Sequence, residues 1–238
     1  MSRRTADSLA LERSKFRHSD DVFNDPAVLE ALSRMPPVLY KYSGLSGERL
    51  EWMRRLIVKS ELYFAPSSAF NDPLDCRIAP NFNASRLAIE QFCRVRLRQW
   101  FPLEDRRARK ERIRQMVLKS KTEDGQESLA KDLLRSLDEN GIACFAKDPA
   151  KMLLWSYYAE GHSGIAVRFN ITLEHLMARQ FIPIEVQYSN DFPVVHFYKA
   201  KTQEFLRTLF GTKSLAWKHE EEWRLVLLHT VGYVLRLR

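Results

Sequence analysis

Trp217-Lys218-His219-Glu220-Glu221-Glu222-Trp223-Arg224-Leu225-Val226-Leu227-Leu228 is the stretch from which the fold can be read. Its second half, residues 225–228, is apolar without interruption, as expected of a strand buried on both faces. A strand covered on both faces lies inside a sheet and not at its edge, so the chain must supply strands and helices around it. If the strand already starts at Glu220, alternation places Glu220, Glu222 and Arg224 on one face and Glu221 and Trp223 on the other. Two carboxylates and a guanidinium then share a surface, and the cation favours the ionised form of both acids. Such a trio stabilises developing positive charge better than it donates a proton. The same trio also fits a purely structural ion network at a strand start.

The surrounding sequence supplies the partners. Residues 38–42 and 62–64 are rich in aromatic and β-branched side chains and are expected to be strands, with a helix between them over 48–60 that repeats apolar residues at helical spacing. Ile142 to Phe145 reads as a short buried strand, Ile165, Val167 and Phe169 as a half-buried one, and residues 181–188 and 231–237 as two more. Helices are expected over 26–35, opened by Asn24 or Asp25 before Pro26, then after Asp148-Pro149 to Ala159, and around 202–210. Two or three helices fill residues 83–139. Strands and helices mix without a βαβ rhythm. The expected fold is therefore α+β: one domain over 38–238, with a mixed or antiparallel sheet flanked by helices and a helical insertion at 83–140, preceded by an arm and short helix at 1–37.

Charge singles out the insertion. The chain of 238 residues carries a formal charge of +8, and residues 94–121 hold eleven Lys or Arg against three acids, so the remainder is formally neutral. A localised basic stripe can hold nucleic-acid phosphates or an acidic protein surface, with Arg106, Arg107, Arg109 and Lys110 as its candidates; its simpler meaning is a solvated helix face. Cys76, Cys93 and Cys144 are odd in number and lack a Cys-x-x-Cys pair, which argues against a disulfide framework or a zinc ribbon. No apolar run approaches membrane-spanning length, and the first residues lack a signal-peptide core. The expectation is a cytoplasmic protein with no membrane partner.

Four segments taken in order resemble a known family: Leu39-Tyr40-Lys41-Tyr42; Leu62-Tyr63-Phe64-Ala65-Pro66-Ser67-Ser68-Ala69-Phe70-Asn71-Asp72-Pro73-Leu74-Asp75; Leu154-Trp155-Ser156-Tyr157-Tyr158-Ala159-Glu160-Gly161-His162-Ser163-Gly164; and residues 217–224. Together they resemble the bacterial domain of unknown function 2971, over residues 38 to about 228. The family usually shows a Tyr where this chain has His219. More distantly, a Glu-x-Glu at the head of a strand resembles arginine-class ADP-ribosyltransferases. That resemblance implies NAD as ligand, Glu222 at the nicotinamide ribose, Glu220 orienting an acceptor, Lys41 and Tyr42 on the first core strand, and Ser67 and Ser68 after it. Cleaving an N-glycosidic bond passes through an oxocarbenium-like state, for which a carboxylate beside the ribose has a physical purpose.

The remaining candidates come from their residue types. Asn71, Asp72 and Asp75 follow Phe70 in a short loop and can grip a ribose or a metal, or simply form an Asx-turn. His162 lies between two glycines, where backbone can approach a ligand and an imidazole can move a proton. With Tyr40, Tyr158 and Arg224 these residues are expected to line one cleft for a nucleotide-like ligand, with Glu222, Glu220 and His162 as its catalytic groups. Two alternatives stand beside an NAD-dependent ADP-ribosyltransferase. One is a metal-dependent nuclease using Asp72, Asp75, His162 and Glu222, although no metal-ligand spacing supports it. The other is a non-enzymatic module that binds nucleic acid or a partner through the basic stripe.

Overall fold

The computed structural model describes residues 26–77, 79–101, 103–200, 202–228, 230 and 234–236. The N-terminal arm, the Asn24 or Asp25 cap and the ends of the expected last strand lie outside them.

Five strands form the main sheet, in the order β5 (Ile165–Asn170), β1 (Val38–Ser43), β4 (Gly141–Ala146), β10 (Glu222–Leu227), β6 (Ile182–Glu185), each neighbour antiparallel to the next. The expected two-sided burial of the last motif is met: Glu222 through Val226 are all buried, with β4 on one side and β6 on the other. Alternation along β10 sends Trp223 and Leu225 into one core with Leu39, Phe64, Phe145 and Phe181, while Val226 joins Ile142, Ile184, Leu209 and Phe210 on the other face. Each such side chain contributes roughly 1.5–3 kcal/mol when fully withdrawn from water.

Helices cover both faces. α1 (Pro26–Arg34) packs against β6, and α2 (Gly47–Lys59), which follows β1 in the chain, buries Met53 and Leu56 before ending on Ser60 in a left-handed C-cap. β2 (Glu61–Tyr63) does not join the main sheet as a second strand. It pairs instead with β11 (Val234–Arg236), because a single residue separates it from α2 and the chain then turns through a 3₁₀ segment at Ser67–Ala69. The strand expected over 181–188 is likewise divided. Val186 gives its amide to the Glu222 carbonyl, and beyond it β7 (Gln187–Ser189) leaves the sheet to pair in parallel with β9 (Thr212–Ser214). β3 (Ala79–Asn81) and β8 (Val194–His196) make a third small pair.

The insertion forms three helices, α3 (Arg86–Trp100), α4 (Arg106–Lys119) and α5 (Glu123–Leu137), opened by the side-chain N-caps Ser85, Asp105 and Thr122. They enclose a core of their own, in which Ile89, Cys93, Leu97, Val117 and Leu129 pack against Phe82 and Tyr198. α6 (Met152–Tyr158), α7 (Leu173–Arg179) and α8 (Thr202–Gly211) complete the α+β fold. No helix among the described residues is long and apolar enough to cross a membrane.

Candidate functional site

β10 begins at Glu222, and Glu220 belongs to the preceding 3₁₀ turn (Leu215–Glu220). Glu221 between them adopts φ 44°, a left-handed conformation that turns its side chain out to Lys151. Simple alternation from Glu220 therefore does not apply. The two carboxylates meet nonetheless, because Lys213 on β9 reaches both, with its Nζ 2.6 Å from Glu220 Oε2 and 3.0 Å from Glu222 Oε2.

Below them Arg224, with 0% of its surface exposed, is fully satisfied. Its guanidinium donates in bidentate fashion to Asp75 at 2.8 and 2.7 Å and to Glu222 at 2.8 and 3.0 Å, and Nη1 donates to the Phe210 carbonyl at 2.9 Å and to Cys76 Sγ at 3.1 Å. The Phe70 ring lies 5.3 Å from it. Five donors in a rigid fork suit this double clamp, which a lysine cannot reproduce. Removing such charges from water costs several kcal/mol per ion and is offset only when every partner is in place, as it is here.

Three carboxylates, Asp75, Glu220 and Glu222, surround two cations in this cluster, so full ionisation leaves an excess negative charge. Burial pushes the Glu222 carboxyl up, but Arg224 and Lys213 more than reverse this and hold it well below the usual carboxylate range. Burial also raises Glu220, and the Glu222 charge adds to the rise, so Glu220 is the member that binds a proton more readily than normal. Burial opposes the charge on Lys213, yet Glu222, Glu220 and Asp75 outweigh it and hold the ammonium above its ordinary range. Glu220 also accepts from the Tyr158 hydroxyl at 2.7 Å, and the same hydroxyl accepts from Asn71 Nδ2 at 3.4 Å.

Towards the surface the cluster meets aromatic groups. Lys213 Nζ lies 5.1 Å from the Trp217 ring centroid, and Trp217, Tyr157 and His219 sit about 6 Å from one another, at 6.0 and 6.1 Å for the two pairs with His219. His219 Nδ1 faces the Ala216 carbonyl, whereas its Nε2 is shielded from solvent and has no hydrogen-bond partner among the described residues. A shielded polar atom without a partner is uncommon in folded proteins and marks a place where a ligand atom can bond.

The structure thus gathers Glu220, Glu222, Arg224, Asp75, Asn71, Phe70 and Tyr158, and divides off the rest. Glu222 and Glu220 are each only 4% exposed and engaged on both oxygens: Glu222 anchors Arg224 and Lys213, and Glu220 is held by Lys213 and the Tyr158 hydroxyl. Lys41 stands nearby: burial lowers its pKa, the Glu222 charge partly restores it, and its Nζ donates to the Cys144 carbonyl at 3.3 Å. Tyr42 belongs to another group, donating to the Asp148 carbonyl and packing edge-on against Trp155 at 5.3 Å. Tyr40 pairs with Ala146 and Arg168 in the sheet. Ser67 and Ser68 both bond Asp138, past the end of α5, and do not approach the cluster. Asp72 accepts from the Leu74 amide at 2.9 Å, a plain Asx-turn.

His162 is exposed, with φ 73° and its amide bonded to the Trp155 carbonyl; it follows Glu160 and Gly161, which also have positive φ. That strained corner is held by Glu160, whose carboxylate accepts from the Leu45 and Ser46 amides and the Ser46 hydroxyl. The set proposed for metal chemistry is not gathered either: Asp75 and Glu222 meet through the cations Arg224 and Lys213, and among the described residues no group of three or more His, Cys, Asp or Glu side chains is placed to hold a metal ion. In the basic stripe, Arg106, Arg107 and Lys110 are exposed, but Arg109 is half-buried and donates to the Glu104 carbonyl.

Sequence reasoning missed Lys213, His219 and Glu160. Lys213 lies in no motif, and nothing in its immediate sequence marks a buried cation. Glu160 and His219 stood inside recognised segments. His219 was noticed there only as a departure from an expected Tyr.

Residues 154–225 match the family model described as protein of unknown function (DUF2971), which supports the resemblance carried by the two motifs within that stretch. The matched segment contains Tyr158, Lys213, His219, Glu220, Glu222 and Arg224, while Asp75 and Asn71 come from outside it. No curated protein and no solved structure matches the chain.

Proposed function

We propose that the chain binds a nucleotide, with NAD⁺ the foremost candidate, and acts on it by ADP-ribosyltransferase-like chemistry at the outer edge of the ion cluster. The observation that carries this reading is the Glu220–Lys213–Glu222 bridge, in which two neighbouring carboxyls are driven apart in proton affinity. Pairs separated in this way are how proteins assign one acid to anchoring and another to chemistry. Glu222 fixes Lys213 and Arg224, while Glu220, as buried as Glu222, is bonded on one oxygen by the neutral Tyr158 hydroxyl, and in this scheme it meets the ligand by exchanging that bond. The aromatic group of Tyr157 and Trp217 offers a face for a flat base, and His219 Nε2 offers a bond.

In this scheme the bond between the ribose anomeric carbon and nicotinamide breaks, nicotinamide leaves with the electron pair, and an acceptor hydroxyl or water closes on the cationic carbon. The proton it releases passes to Glu220. The carboxylates stabilise the positive charge of the passing state. The test is nicotinamide release from NAD⁺, together with NAD⁺ binding by calorimetry, for wild type, Glu220→Gln and Glu222→Gln. Glu220→Gln is expected to stay folded and lose release by at least about 100-fold, within the usual range for a proton-transfer group. Absence of NAD⁺ binding at millimolar ligand, or full turnover by Glu220→Gln, overturns the reading.

A further inference from the structure

The flank of α4 presents a separate surface. Arg106, Arg107, Lys110 and Arg114 are exposed and have no ion-pair partner among the described residues. Arg106, Lys110 and Arg114 follow at steps of four, and Arg107 stands three from Lys110 and seven from Arg114, so the four share one face of the helix, which extends about 12 Å from Arg106 to Arg114 at the standard rise. The other cations of the helix are engaged: Arg112 pairs with Glu104 and covers the Phe101 ring, Lys119 pairs with Asp132, and Arg109 is turned inward. Ile113, Met116 and Val117 face the insertion's own core, so the basic ridge is not needed to hold α4 in place.

The arrangement works against the helix that carries it. Arg106 and Arg107 occupy the first turn, where the peptide dipoles already leave positive charge; the Asp105 cap answers one first-turn amide, and the turn itself holds no acid. Arg106 with Lys110, Arg107 with Lys110, and Lys110 with Arg114 are like-charged neighbours on the helix surface. A chain keeping only a solvated face would do better with acids in the first turn and mixed signs after it. A polyanion lying along the ridge removes both penalties at once.

We propose that this ridge is a binding surface for the phosphate backbone of nucleic acid. The chemistry favours nucleic acid over an acidic protein. Protein interfaces need an apolar, charge-poor centre, whereas this face carries four exposed cations with Glu111, bonded to Gln115, as the acid beside them, the character of backbone-contacting surfaces. Three of its four cations are arginines, whose planar fork matches phosphate oxygens. The contacts read charge and spacing and carry no base sequence.

The test uses the full chain and a fluorescent 20-base-pair DNA duplex of mixed sequence, with anisotropy read from 50 to 300 mM salt. Wild type is expected to bind with log K falling against log salt at a slope of about −3 to −4, as for four neutralised phosphates. The variant Arg106→Gln, Arg107→Gln, Lys110→Gln, Arg114→Gln is expected to keep its helical circular dichroism, lose at least 30-fold in affinity at 50 mM salt and lose most of the slope. A control changing the exposed Lys59, Arg168 and Lys199 to Gln should bind as wild type does. Duplex binding unaltered by the α4 changes overturns the proposal, as does equal loss in the control. Tighter binding of polyglutamate or of anionic vesicles than of the duplex does so too.

Discussion

The cluster under Arg224 and the ridge on α4 handle charge in opposite ways. In the cluster every ion is withdrawn from water and paired with an opposite charge, so removing one member strands the others in a medium that cannot solvate them. On the ridge the ions repel one another across water, each contributes little to stability, and removing them should relieve strain. A buried network is held together by completeness. An exposed stripe keeps its charges in water, where each is solvated without a partner.

The comparison is broken most directly at Arg224. Arg224→Met should lower unfolding stability by about 3–5 kcal/mol in urea denaturation, since it leaves Asp75 and Glu222 buried without their clamp. A loss under about 1 kcal/mol would mean the cluster is wetter than its geometry implies. The two glutamates should then separate. At pH 7, Glu222→Gln should cost roughly 2 kcal/mol more than Glu220→Gln, because Glu222 loses charge-assisted bonds to both cations while Glu220 already carries the excess negative charge.

The pH dependence follows from the same pair. The folded-state pKa of Glu222 lies below its unfolded value of about 4.5, so its stabilisation is present above that value and is lost as pH falls through the folded value. Glu220 has the reverse sign: its folded pKa is raised, so its contribution weakens as pH rises from about 4.5. Urea midpoints between pH 7 and pH 3 should accordingly show the gap between wild type and Glu222→Gln closing in acid. A constant gap would show that the effect of the substitution is steric. Tyr158→Phe comes next, with about 1–2 kcal/mol expected from losing the bond to Glu220, read by the same denaturation. The smallest effect is on the other side of the comparison: the fourfold α4 variant should melt at the wild-type temperature or about 1–2 °C above it in calorimetry.

How much was legible depended on how local each cause was. The helix boundaries at 48–60 and 202–210 followed from apolar spacing, since a helix face is a property of neighbouring residues. The interior position of residues 225–228 followed equally well, because apolar residues on both sides of a strand require cover on both. β2 was legible as a strand but not as a member of a separate pair, because pairing is settled by which distant segment can close on it. Ser67 and Ser68 were misplaced for a related reason: the resemblance set them beside the site, and Asp138, seventy residues away, captures both.

By itself the sequence determined an α+β chain, an internal strand opening on acids and an arginine, and a helical insertion that carries the net charge, since these depend on periodicity, burial and charge count. Only the tertiary structure decided that Lys213 bridges Glu220 and Glu222, that Asp75 closes on Arg224 from 149 residues away, and that Glu222 is held by both cations while Glu220 is shared between Lys213 and Tyr158. Whether an ion is an anchor or a reagent is set by its solvent and its partners, and both are fixed by groups that the chain brings together only when it folds.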